Sequence, residues 1–140
     1  MLNRLAAATV LVPGYDEGLA FFRDSLGFAV VEDTPLGPDK RWVVVAGSQG
    51  AGAALVLAVP SDERQRARIG DQTGGRVGFF LHTADFWADY GTMRSRGVRF
   101  LESPRVEPYG LVAVFLDPWG GKWDLLQPAD GRKDPTGPAR

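Results

Sequence analysis

The sequence predicts an α+β fold: two tandem β-α-β-β-β modules whose strands form one curved, partly closed mixed sheet. Three observations predict it. Short apolar runs with strand character outnumber the helical patterns, and the order of elements in the first half recurs in the second. Gly (18) and Pro (10) punctuate short segments throughout instead of gathering into one linker. A single fixed offset also places Gly27 on Gly97, Glu32 on Glu102, Val44 on Val114 and Leu55 on Leu125, as expected for a duplicated unit of ~55 residues.

The elements follow in order. Leu5–Val12, rich in Ala and Val, reads as a strand. In Asp16–Leu26, residues Leu19, Phe22 and Leu26 share one helical face, and Gly27 sits where the helix stops. Phe28–Asp33, Arg41–Ala46 and Ala53–Val59 are three further strands, split by Pro35-Leu36-Gly37-Pro38 and by Gly47–Gly52. The densely charged Ser61–Ile69 is a short solvated helix, and Asp71–Gly75 a flexible joint. The plan then repeats. Arg76–His82 is a strand, Asp85 caps a helix over Phe86–Arg96, and Phe86, Tyr90 and Met93 form that helix's buried face before Gly97 ends it. Strands Val98–Ser103, Leu111–Leu116 and Lys122–Gln127 complete the half. The expected organisation is one domain over 1–128, with modules 4–60 and 76–128, a linker at 61–75 and a flexible tail at 129–140.

Composition removes several classes of function. The 140 residues are 44% apolar with a formal net charge of −1, which argues for a packed core and against a basic nucleic-acid footprint. The absence of cysteine excludes disulfides, thiolate nucleophiles, zinc–cysteine sites and iron–sulfur clusters, and one histidine excludes a three-histidine metal site. No apolar run is long enough to span a bilayer, and Met1-Leu2-Asn3-Arg4 lacks signal-peptide character, so a cytoplasmic location is expected.

A module of this kind covers one sheet face with its own helix and leaves the other for a partner or ligand. Pairing two modules curves the strands into a trough lined by alternate residues. Trp42, Phe80, Tyr109, Phe115 and Trp119 fall on or beside the strands that would frame it and suit a flat aromatic ligand. Trp123 and Phe79, of opposite parity to Phe80, are expected to pack under the helices; the parity of Trp42 and Phe115 stays open. His82 ends its strand as a hydrogen-bonded or exposed terminus or as a ligand contact at the trough mouth.

Three stretches resemble the vicinal-oxygen-chelate superfamily of glyoxalases, bleomycin-resistance proteins and extradiol dioxygenases. They are Val12–Glu17 with Ala20–Phe28, Ala53–Leu57, and Asp117-Pro118-Trp119-Gly120-Gly121-Lys122-Trp123-Asp124-Leu125-Leu126. The resemblance spans roughly Leu5 to Gln127. Its metal-dependent members place four ligands on the trough floor, and the equivalent positions here are Ala7, Ala54, Gly78 and Asp124. Ala and Gly offer no donor, so the resemblance implies no metal and no cofactor, and a floor whose small residues leave space for a bulky molecule. His82 is expected about 13 Å beyond Gly78 at ~3.3 Å per residue, out of reach of that position. Asp124 reads either as a general base or ligand acceptor with a pKa raised by burial, or as a satisfied relic. Glu32 and Glu102 read as solvated or arginine-paired.

The expected function is metal-free binding of a small apolar or aromatic molecule, as in the bleomycin-resistance branch, with Ala7, Trp42, Ala54, Gly78, Phe80, His82, Tyr109, Phe115 and Trp119 as lining residues. Two alternatives stand beside it. One is a lyase, isomerase or dioxygenase using Asp124 as acid/base or in an atypical metal site; the other is a non-catalytic structural module. The resemblance also implies a homodimer, and nothing points to nucleic acid or membrane as partners.

Overall fold

A computed structural model describes residues 1–48 and 52–130. Residues 49–51 of the Gly47–Gly52 connector, and residues 131–140 of the tail placed at 129–140, lie outside the described residues. The chain divides into two units, Met1–Arg68 and Ile69–Arg140, and the division falls inside the segment read as a linker.

The first unit holds β1 (Ala7–Leu11), α1 (Tyr15–Leu19), β2 (Ala29–Pro35), β3 (Arg41–Ala46), β4 (Ala54–Ala58) and α2 (Glu63–Arg66). Its four strands form a mixed sheet in the order β1-β4-β3-β2, with β1 parallel to β4 and the other pairs antiparallel. Register puts Val43 and Val45 of β3 beside Leu57 and Leu55 of β4, and all four are buried with Val10, Val12, Leu19 and Phe22. Burying such a set is what holds a sheet and a short helix together. The helix read over Asp16–Leu26 is α only as far as Leu19 and continues as a π-helix over Ala20–Ser25. The wider winding seats the consecutive rings of Phe21 and Phe22 both in the buried layer, edge to face at 5.1 Å. Gly27 then takes φ 75°, the left-handed conformation that ends the helix. In α2, Asp62 accepts from the Gln65 amide at 2.8 Å and no residue is buried, so this turn is solvated as its charge pattern suggests.

The second unit holds β5 (Val77–His82), α3 (Phe86–Ser95), β6 (Arg99–Phe100), β7 (Arg105–Glu107), β8 (Gly110–Leu116) and β9 (Lys122–Pro128). Its strands run β5-β9-β8-β6, with β7 also paired to β8. Asp85 caps α3 as expected, its side chain accepting from the Ala88 amide. Phe86 and Met93 of that helix are buried with Ala113, Phe115, Trp123 and Leu125. The strands lie in two mixed sheets, of four and five strands, one to each module, and the described residues close no barrel, in keeping with the α+β reading.

The single strand expected over Val98–Ser103 is broken. Leu101 still donates its amide to the Val114 carbonyl, but Val114's own amide is taken by the Glu102 carboxylate at 3.0 Å, and Pro104 has no amide to give. The chain bends and pairs again only from Arg105, which makes the second half one strand longer than the first.

Candidate functional site

Register fixes which side chains share a sheet face. In the second unit Phe79, Trp123 and Phe115 lie on the α3 side, Phe79 stacked on Trp123 at 4.4 Å and Trp123 on Phe115 at 5.7 Å. Phe80, His82, Asp124, Leu126, Val112 and Val114 point the other way. This settles the parity of Phe115 against the lining role proposed for it. It is 0% exposed and belongs to the aromatic core, with its back to Asp124.

Gly78 is not the ladder partner of Asp124: β5 shifts register between Val77 and Phe79, and Phe80 is the residue directly beside Asp124. Gly78 sits in that irregularity with the Thr73 side chain against it. His82, four residues along β5 from Gly78, pairs with Leu126, two residues from Asp124 on the same face.

Asp124 is half-buried, and its Oδ1 is buried without a hydrogen-bond partner among the described residues. Burial pushes its carboxyl pKa above the ordinary aspartate value; Arg105 draws it down and Glu102 adds to the rise. Beside it the Phe80 ring is 65% exposed, an unusual position for a phenylalanine in a strand interior.

Arg105 forms the other side of this face. Its Nη1 donates to Glu107 Oε1 at 2.8 Å and to the Tyr109 hydroxyl at 3.2 Å, and its Nε to both oxygens of Glu102 at 3.2 and 3.3 Å. These partners raise the guanidinium pKa beyond the ordinary arginine value, Glu107 most, then Tyr109 and Glu102. Sequence reading found Tyr109 but not Arg105 or Glu107. The available signal was their spacing, since Arg105 and Glu107 are two apart and share a face of β7. Glu102 is arginine-paired, as read, and also closes the Val114 amide.

Trp119 lies in the β8–β9 turn, where its amide donates to Asp117 Oδ1 at 3.1 Å. Asp117 also accepts from the Gly121 amide at 2.8 Å and from the Trp123 indole at 3.1 Å. A Cβ on Gly121 would collide with that carboxylate, so the motif Asp117–Gly121 is a turn built around one buried acid. In the first unit Ala7 pairs directly with Ala54, and Trp42 is 41% exposed on the same face of the sheet as Ala54. Glu32 stands opposite Val44 there and accepts from Thr34.

The positions that would hold a metal do not fit one. Ala7, Ala54 and Gly78 supply no donor, and among the described residues no three His, Asp or Glu side chains gather closely enough to share an ion.

Two halves on a shared β-α-β-β-β plan, the second with the strand after its helix split in two, define an α+β protein of duplicated modules. The chain belongs to the Glyoxalase/Bleomycin resistance protein/Dioxygenase superfamily, whose family model matches residues 4–125. It is 44% identical over 128 residues to an uncharacterized protein of Shewanella frigidimarina (strain NCIMB 400), covering 91% of this chain and 95% of that one. Among solved structures it resembles UcmS2, at TM-score 0.76 and 32% identity over 90% of this chain and 98% of the other. It also resembles TnmS3, an antibiotic binding protein from Streptomyces sp. CB03234, at TM-score 0.73 and 29% identity over 91% and 98%. No helix among the described residues is long and apolar enough to cross a membrane.

Proposed function

We propose that the protein binds an apolar or aromatic small molecule on the Asp124 face of its second module, without a metal, and holds it by burial and stacking. The observation that carries this reading is the exposed Phe80 ring standing in register beside a half-buried carboxylate. An exposed aromatic there costs hydration that a planar ligand would relieve. The antibiotic-binding relative TnmS3 supports the same class of activity. A cytoplasmic homodimer is part of the proposal.

The test is fluorescence titration of the full chain with anthracene derivatives. Stacking adds ~0.5–1.5 kcal/mol beyond the area covered, so Phe80→Ala is expected to weaken binding about tenfold. Unchanged affinity in that variant would place the ligand elsewhere.

A second reading, catalysis of the lyase, isomerase or dioxygenase kind with Asp124 as acid/base, is favoured by its raised pKa. Its signature is an Asp124→Asn protein that still binds but no longer forms product.

A further inference from the structure

We infer that the ligand of the Asp124 face carries a protonated amine beside its aromatic body, the ammonium donating to the Asp124 carboxylate while the ring lies on Phe80. This rests on the aromatic-binding reading above and adds the chemical class of the ligand.

Three observations lead to it. First, Asp124 Oδ1 is buried yet has no donor among the described residues. A buried acceptor is ordinarily satisfied, and a carboxylate left short of a donor on the face that carries Phe80 favours a ligand that brings one. Second, the neighbouring cation is engaged elsewhere. Arg105 Nε and Nη1 are bonded to Glu102, Glu107 and Tyr109, so the guanidinium is held by partners other than Asp124. Lys122 and Arg99 share this face by register, yet neither supplies a donor to Asp124 Oδ1. A charged donor makes the stronger hydrogen bond to a carboxylate, which favours a cationic ligand over a neutral one. Third, the apolar and the polar contact lie in adjacent strands of one row. Phe80 and Asp124 are direct partners on β5 and β9, and neighbouring strands stand about 4.8 Å apart. An ammonium one methylene from a fused aromatic ring spans that distance, and a cation close to the Phe80 ring is itself attracted to the ring face.

The experiment compares aminomethylanthracene, methylanthracene and anthracene carboxylate on the full-length protein at neutral pH and low salt. The amine is expected to bind about tenfold more tightly than the methyl compound, with the carboxylate weakest. The amine-to-methyl ratio should collapse towards one in Asp124→Asn and persist in Asp124→Glu, with circular dichroism confirming that both variants are folded. Equal binding of the three probes overturns the inference and leaves the aromatic-binding reading standing. So does an amine preference that survives Asp124→Asn. If none of the three binds, the aromatic-binding reading itself fails and the inference with it.

Discussion

Asp33 and Asp124 carry opposite dependences on pH. Two hydrogen bonds from Arg41, with Nη2 at 2.6 Å from Oδ2, hold the Asp33 carboxyl below the ordinary aspartate value. Its contribution is present above the unfolded pKa and is lost as pH falls through the lowered folded one. Asp124 runs the other way, because burial raises its folded pKa. The folded chain holds that proton more tightly than the unfolded chain, so stability is full below the unfolded pKa and declines as pH rises through the folded one. Asp124→Asn removes the buried charge while keeping its shape. The variant is expected to melt higher than the parent at neutral pH, with the gap closing in acid, in thermal melts taken across a pH series. A gap that stays constant with pH would mean that Asp124 is not the group responsible. The family resemblance made Asp124 legible in the sequence, but its orphaned oxygen was not. That depends on where Arg105 finds its partners, and these lie in the bend at Glu102, at the end of β7 at Glu107 and in the following turn at Tyr109, none of which periodicity reveals.

Among the elements, the β8–β9 hairpin shows most directly how a short motif becomes geometry. Asp117 satisfies two turn amides and the Trp123 indole from a position 5% exposed. Asp117→Ala leaves those donors without their acceptor, and at ~1–3 kcal/mol for each buried group a loss of about 3 kcal/mol is expected. Urea denaturation measures it; a loss under about 1 kcal/mol would show that the turn holds without the acid. The motif stood out in the sequence as a resemblance, and hydrogen bonding supplies its physical reason. Strand and helix order could be read from apolar runs and from the Gly27 and Gly97 stops because those signals are local. The break after Phe100 could not, since the side chain of Glu102, 12 residues before the amide it meets, replaces a backbone partner. The register slip at Gly78 escaped for a similar reason. Counting back along one strand assumes an unbroken ladder, and an irregularity moves every later pair.

At the scale of the whole molecule the two modules share a plan and differ in chemistry. The row that carries Phe80, Asp124 and Val114 in the second has its counterpart in the first where Ala54 matches Asp124, in the row of Ala7, Ala54 and Ala46. Only one of the two rows offers a ring beside an acid. Calorimetric titration with aminomethylanthracene is therefore expected to give one bound probe per chain, and two would show that the first module's row binds as well. The interruption near Pro104 also bears on how the protein behaves when crowded. Beyond β8 the sheet margin is occupied by strands of two and three residues, with Glu102 filling the gap between them. Arg99, Arg105 and Glu107 stud these pieces with charge. A foreign chain seeking a template along that border meets no continuous ladder to extend, so the border resists fibril growth.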